Sequence, residues 1–419
     1  MQKDYILSDA ELSHISLFTG AGGLDIGLER SGFINKLCIE NNINCVATIK
    51  QNRPDWKISN PLDIHLISSQ QILRQAGLKK RKIGLLSGGP PCQPYSKASY
   101  WHNGDSKRLK DHRADTLKHF LRVIGETLPQ VILFENVKGF AYKNKDEGYK
   151  YFLRSLQRIN RENRVNYKAN TYVLNCADYG VPQLRERIFI IAHVEGLHFN
   201  EPKPTHSEII NSKSIEPYIT TWDAIGDLDV DISTEHLNPT GKWADLLQSI
   251  PEGNNYQWHT PRGGGVPLFG YRTRYWNFLL KLSKAQPSWT IPAQPGPASG
   301  PFHWKNRKLS IREMCRLQTI PDDWIITGDY REANQQVGNA IPSLIGEILG
   351  REIQKQFYNK TFRKKLTLQT PRQIETPRRY KTKPIPKKYL TRNSDVTEHP
   401  GEGLGPGALK KEMTDAKYR

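Results

Sequence analysis

Long apolar runs are missing from this 419-residue chain, so no membrane-spanning helix is expected. Cysteine is scarce: Cys38, Cys45, Cys92, Cys176 and Cys315 form no C-x-x-C pair and no even framework. That pattern argues against a disulfide scaffold or a zinc site, no metal is expected, and a reducing compartment fits. The opening residues, MQKDYILSDAELSH, are polar and mixed in charge, unlike a secretory signal. A cytoplasmic protein without membrane contact is the expectation. Acids are also in short supply, 42 Asp+Glu against 61 Lys+Arg, for a net charge of +19. Residues 355–419 hold 17 basic and six acidic side chains, +11 of that excess, leaving +8 on the body. A basic body points to nucleic acid as the default partner. The tail reads as a disordered, solvated end that adds at most non-specific, salt-sensitive binding.

What is present is a repeating texture. Apolar runs at 15–18, 37–40, 83–87, 131–134 and 187–192 alternate with amphipathic stretches at 24–31, 116–127 and 149–159. This alternation predicts an α/β fold: a doubly wound, mostly parallel sheet with helices on both faces. From about 195 to 305, Pro, Gly, Asn and Trp accumulate and periodicity fades, which predicts a smaller loop-rich domain. Helical character returns over 308–354. The expected division is an extension (1–13), a main domain (14–198), a smaller domain (199–307), a return to the main domain (308–354) and the tail (355–419).

Chemistry gathers at the ends of the strands. Gly88-Gly89-Pro90-Pro91-Cys92-Gln93-Pro94 follows an apolar run and presents a cysteine on a stiff backbone. A rigid, strand-terminal thiol suits a nucleophile better than a core residue. The first strand runs into Phe18-Thr19-Gly20-Ala21-Gly22-Gly23-Leu24, a turn whose backbone N–H groups can meet a ligand. Glu40 closes the second strand, where a carboxylate can take ribose hydroxyls, and Asp63 ends an expected third strand, placed to accept from an adenine amino group. The turn lacks G-x-G-x-x-G spacing, which favours a nucleoside cofactor without a pyrophosphate. Glu135, in Phe134-Glu135-Asn136-Val137, should face the same crevice as Cys92, and a partly dry carboxyl there can serve as a general acid. Arg185 and Arg187, two apart on an extended segment, should project to one side and anchor an anion or a base carbonyl.

Taken in order, these fragments, with LSIREMCRLQTIPDD at 309–323 and QVGNAIP at 336–342, resemble the cytosine-C5 DNA methyltransferases of bacterial restriction–modification systems. The resemblance spans roughly 14–354. It also includes Pro204-Thr205-His206 and Thr221-Trp222-Asp223-Ala224-Ile225. It implies an S-adenosyl-L-methionine-dependent, Rossmann-like catalytic domain with a target-recognition domain at 199–307. It implies Cys92 attacking C6 of a flipped-out cytosine, Glu135 protonating toward N3, and Arg187 holding O2. Arg185 would position Cys92 or a phosphate, and Asn136 would help hold the exocyclic amine. The cofactor would be cradled by Phe18 (packed on the adenine), Gly20, Gly23, Leu24, Glu40, Asp63, Ile64, Pro91 and Asn339. Asn41 departs from the aromatic residue that many relatives carry after the acid.

Double-stranded DNA is then the expected partner, with a cognate endonuclease as functional counterpart and the enzyme acting as a monomer in the bacterial cytoplasm. The basic stretch 96–113, with Ser96 and Arg108, suits a mobile loop that closes over the DNA backbone. Arg262, Arg272, Arg274, Lys305 and Arg307 are candidate DNA contacts, while Tyr271, Tyr275 and Trp276 are expected to pack inside the small domain. A transfer-RNA cytosine methyltransferase, a nicotinamide-dependent oxidoreductase and a non-catalytic DNA-binding module remain the alternatives. The long variable region disfavours the first. The second and third leave Cys92, Glu135 and Arg187 without a joint purpose.

Overall fold

A computed structural model describes residues 12–91, 115–142, 146–210, 215–229, 237–373 and 375–390. The chain opens with β1 (Ser13–Leu17), α1 (Gly23–Ser31), β2 (Ile34–Ile39), α2 (Ile43–Asn52) and α3 (Ser69–Ala76). It continues with β3 (Leu85–Gly88), α4 (Asp115–Thr127), β4 (Val131–Val137), α5 (Glu147–Asn163) and β5 (Asn170–Asn175). Next come β6 (Gln183–Leu184), β7 (Glu186–His193), β8 (His206–Ser207), β9 (Glu216–Pro217), α6 (Thr221–Ile225) and β10 (Ser288–Trp289). The last elements are α7 (Ile311–Leu317), α8 (Tyr330–Asn339), α9 (Ser343–Tyr358) and α10 (Lys387–Leu390). No described helix is long and apolar enough to cross a membrane.

Six strands form the central sheet in the order β2-β1-β3-β4-β7-β5, and β7 alone runs against the others. Strand residues alternate between two cores. Leu86, Ile132, Phe134, Ile188 and Ile190 face α4 and α5, through Phe120, Ile124, Phe152 and Leu156. Leu85, Val131, Leu133, Phe189 and Ile191 face α1 and α9, through Leu28, Leu344, Leu349 and Ile353. Burial on both faces is why these strands read as continuous apolar runs. The architecture is the doubly wound α/β arrangement expected.

Two further clusters complete the molecule. One joins Ile26, Ile49 and Trp56 to Ile225, Trp304, Met314, Leu317, Trp324 and Val337, so both ends of the loop-rich region pack on the main body. The other is a small core of its own, built from Leu246, Leu247, Ile250, Tyr256, Phe269, Leu279 and Phe302 and completed by Tyr389. Residues 237–302 hold mostly turns and short 3-10 helices.

Two expectations need correction. Asp63 ends no strand: residues 53–67 are turns and bends, with a single-residue bridge to the sheet between Cys38 and Ile58. Pro54 and Pro61 lie within that stretch, and each lacks the N–H a ladder needs. The tail does not become disordered at 355 either. Helix α9 runs to Tyr358, and the chain beyond it packs against the body as far as Leu390.

Helix α9 returns from the far end of the sequence to lie across α1. At their crossing a Cβ on Gly27 would meet the Ser343 carbonyl oxygen at 2.0 Å, so only glycine lets the backbones approach. Beneath α1 lies a dry polar network. A His14 ring nitrogen, Nε2, shares a 2.7 Å hydrogen bond with Ser87 Oγ. The other, Nδ1, stands 3.9 Å from Asp25 Oδ1, and both side chains are 2% exposed. That is ion-pair distance, yet burial pushes the Asp25 carboxyl up to about 7 and the His14 imidazole down to about 3, so at mildly acidic pH both groups are neutral.

Gly27→Ala is expected to destabilise the fold by about 1–3 kcal/mol in urea unfolding, because an added methyl cannot be accommodated against backbone. The Asp25–His14 pair predicts an opposed pH dependence. Stability from Asp25 is lost as pH rises from its unfolded value of 3.8 through about 7; stability from His14 is lost as pH falls from 6.5 toward about 3. Between about pH 4 and 6.5 the two cancel, since folding moves one proton from imidazole to carboxyl. Asp25→Asn should expose the His14 slope alone, with stability falling on acidification by up to about 1.4 kcal/mol per pH unit. Urea unfolding of the wild type and this variant at pH 4.5 and 6.5 measures the difference.

Candidate active site

The strand register draws the site as a line. Ile39, Leu17, Gly88 and Phe134 are neighbours across β2, β1, β3 and β4. The next residue on each strand is therefore Glu40, Phe18, Gly89 and Glu135, side by side at the carboxyl edge where α/β sheets bind ligands. The strand order reverses between β1 and β3, so this edge is also the switch point of the sheet.

Glu40 is buried and its carboxylate accepts from the backbone N–H groups of Gly20 (2.7 Å) and Asn42 (2.8 Å). Burial raises its pKa, and those N–H groups oppose the rise. Gly20 has φ +59°, and a Cβ built there would meet nothing within 4 Å, so the turn opens onto free space. Phe18 is half-buried with φ 55° beside the α4-side core, and Leu24 packs with Ile341 in the α9-side core. Asp63 holds the backbone and ring N–H groups of His65 (2.9 and 2.6 Å). Burial would raise the Asp63 carboxyl, but these bonds hold it below the usual range. Arg122 ties down the same loop through the carbonyls of Ile64 and Ile67, both at 3.0 Å. Ring and carboxylates around an open glycine turn fit a nucleoside with free ribose hydroxyls. Asn339 is exposed at the end of α8, next to the segment that packs on Leu24.

On the β4 side, Glu135 is held by Arg187, Nε to Oε1 at 3.1 Å, with both side chains largely buried. Burial pushes the Glu135 carboxyl above the usual range, and the charges of Arg187 and Arg185 oppose it. A Cβ on Gly89 would stand 2.6 Å from Glu135 Oε2, so the chain leaving β3 passes directly over that carboxyl. Asn136 Nδ2 donates to the Pro90 carbonyl oxygen at 3.1 Å, and its Oδ1 accepts from Val137 N–H. With both ends of its amide so engaged and 2% exposure, Asn136 steadies the loop rather than reaching an exocyclic amine. Arg185 departs from expectation too. It is 1% exposed and donates to the carbonyls of Gly338 (3.0 Å) and Ala340 (2.8 Å), so it is too deep for a DNA phosphate. Pro91 is exposed and is the last described residue before the expected nucleophile. Cys92, Ser96 and Arg108 lie outside the described residues.

In the smaller region, Arg262 and Arg272 are exposed and lie 4.3 and 5.3 Å from the Tyr271 ring centroid; Arg274, also exposed, lies over Phe269. Tyr275 and Trp276 are 67% and 51% exposed, contrary to the packing role expected of them. Trp276 meets Trp289 edge-on, and Trp289 sits on β10 beside β6 and the catalytic strands. Of the other two candidates, Lys305 pairs with Asp229, and Arg307 is committed to a buried two-pronged pair with Glu313. Sequence reasoning missed Gln183, which is fully buried and donates to the Leu317 carbonyl, joining β6 to α7. Its place beside Arg185 in a polar run was the available signal.

Comparison with known proteins bears on all of this. The family described as C-5 cytosine-specific DNA methylase matches residues 12–355. The chain is 35% identical over 375 residues to the Type II methyltransferase M.SacI of Streptomyces achromogenes, covering 83% of this chain and 93% of that protein. It is 29% identical to the Type II methyltransferase M1.HphI of Haemophilus parahaemolyticus, covering 85% and 90%. Among solved structures, a putative DNA modification methyltransferase encoded in an Escherichia coli prophage shares the fold at TM-score 0.57 and 21% identity, covering 83% of this chain and 99% of its own. With the family spanning the cofactor turn, the Glu135 strand and the returning α9, the chain belongs to the C-5 cytosine-specific DNA methylases and is a DNA cytosine-5-methyltransferase.

Proposed function

We propose that this enzyme methylates one cytosine within a specific double-stranded DNA sequence, as the modification partner of a type II restriction endonuclease. The observation that carries the mechanism is the Gly89–Glu135 approach, which leads the chain into Cys92 over a buried carboxyl at the switch point of the sheet. Cytosine C5 is a poor nucleophile until its ring is activated. Addition of the Cys92 thiolate to C6, with a proton delivered from Glu135 toward N3, gives C5 enamine character. Phe18, Gly20, Glu40, Asp63 and Ile64 would hold S-adenosyl-L-methionine, which would supply the methyl group to C5. Loss of the C5 proton to solvent then expels the Cys92 thiolate, and N3 returns its proton to Glu135, which restores the ring. Arg187 orients Glu135 and holds the base O2. Arg185 acts one step back, fastening β7 to the turn after α8.

The target base lies out of reach inside a stacked duplex, so it is extruded into this crevice. Arg262, Arg272 and Arg274, with the exposed Tyr275 and Trp276, form a cationic aromatic surface suited to phosphates and guanine edges. The relatives' description as Type II methyltransferases supports the restriction–modification setting.

Expression in a methylation-free bacterial host, followed by bisulfite sequencing of the plasmid, tests the activity and reads out its target. Protected cytosines in one sequence context are expected; uniformly unmodified plasmid from well-expressed protein would overturn the reading. Methyl incorporation into DNA and into transfer RNA, compared side by side, should favour DNA. Cys92→Ser should abolish methylation in that assay while gel-shift affinity for DNA is retained. Glu135→Gln should lower kcat by about 10²–10⁴-fold. Because burial raises the Glu135 pKa, its acid form persists to higher pH than an ordinary carboxyl, and single-turnover rates should decline as pH rises through that value. The Gln variant should lack this decline.

A further inference from the structure

The family match ends at residue 355, yet the chain continues as a strap with its own set of anchors. The first anchor is on the catalytic body. Glu347, fully buried in α9, accepts from the backbone N–H groups of Thr367 (2.8 Å) and Leu368 (3.0 Å). Arg351 donates to the carbonyls of Lys364 and Lys365. Leu368 packs on the body at the same place. Further along, Arg372 donates to the carbonyls of Pro217 and Tyr218, and Gln373 N–H to Asp223 at 2.9 Å.

The strap then reaches the small core. Lys284 and Glu252 form an ion pair of 2.6 Å with both side chains 2% exposed. Such a dry pair needs its remaining polar capacity met. Tyr380 supplies part of that capacity: its backbone N–H donates to Glu252 Oε1 at 2.9 Å, and Lys284 Nζ lies 4.0 Å from its ring centroid. Lys383 N–H donates to the Gln248 carbonyl. Finally Tyr389, 2% exposed, stacks on Trp243 with centroids 5.4 Å apart and planes 13° apart, and its hydroxyl donates to the Lys242 carbonyl at 2.7 Å. One segment is thus fastened to the body at Glu347 and to the small core at Glu252, Lys284 and Trp243.

We propose that residues 359–390 are a tether that fixes the angle of the 237–302 lobe over the active-site crevice, with Tyr380 and Tyr389 as positioning residues for DNA recognition. This rests on the reading above that the lobe reads DNA. Eleven Lys and Arg against one acid explain why the segment carries few core contacts of its own. Pro371, Pro377, Pro384 and Pro386 keep it extended between anchors. A lobe free to tilt spends less time in the orientation that matches its surface to the duplex. Apparent affinity falls by the fraction of molecules still aligned, while chemistry on a bound duplex is untouched.

The experiment compares steady-state methylation of the cognate duplex and of a duplex differing at one recognition position, using the full-length wild type, Tyr389→Ala, Tyr389→Phe and Tyr380→Ala. Tyr389→Ala should raise the KM for cognate DNA about tenfold, as expected if a tenth of the lobes stay aligned. It should also narrow discrimination between the two duplexes, with kcat and cofactor affinity held. Tyr389→Phe keeps the stack on Trp243 and should restore near wild-type values. Tyr380, 51% exposed, can be removed without opening a core, so Tyr380→Ala serves if Tyr389→Ala does not fold. An unchanged KM and unchanged discrimination in the folded alanine variants overturns the tether. A wild type that shows no sequence preference at all overturns the recognition reading instead.

Discussion

Because β2, β1, β3 and β4 run parallel and end in register, four chain segments far apart in sequence must leave the sheet at one edge, next to one another. Everything at the site follows from that alignment. Glu40 meets the backbone of Gly20 across the gap between β2 and the first turn, and Gly89 meets Glu135 across the gap between β3 and β4. The reversed strand β7 then contributes from its starting end, which brings Arg187 to Glu135. The sheet's interior is apolar on both faces, so these carboxyl groups sit at the boundary between dry core and open crevice. That position is what raises the pKa of Glu40 and Glu135.

A second layer of groups holds this line in place from the C-terminal side. Arg185 reaches from β7's start to the carbonyls of Gly338 and Ala340, and Gln318 reaches the Val337 carbonyl at 2.8 Å. Gln183 does the same for Leu317. The helices after the loop-rich region are thereby pinned to the active-site strands by buried side-chain donors to backbone oxygens. Arginine and glutamine suit this task because each has several donors and can satisfy carbonyls that helix and turn ends leave open.

Much of this is legible in the sequence. The strands at 15–18, 83–87 and 131–134 announced themselves as uninterrupted apolar runs, and the glycine turn, Glu40 and Glu135 followed from what sits at their ends. Asp63 misled because Pro61-Leu62-Asp63-Ile64 mimics a strand end, whereas the prolines before it keep it out of the ladder. Arg185 and Arg307 misled for another reason: a charge in the sequence does not disclose its partner. Arg307 lies under Glu313, and Arg185 lies under a turn more than a hundred residues away. Tyr389 was invisible because its environment, Trp243, belongs to a distant segment, and the intervening charge and proline look like disorder.

The crossing of α1 and α9 also has a bearing on how the molecule is made. Gly27 leaves the ribosome roughly three hundred residues ahead of Ser343, the backbone against which it must nest. The near side of the sheet therefore stays uncovered through most of synthesis, and contacts of such long sequence separation form slowly. A nascent chain of this design depends on shelter, from a chaperone or from brief transit, until α9 is born.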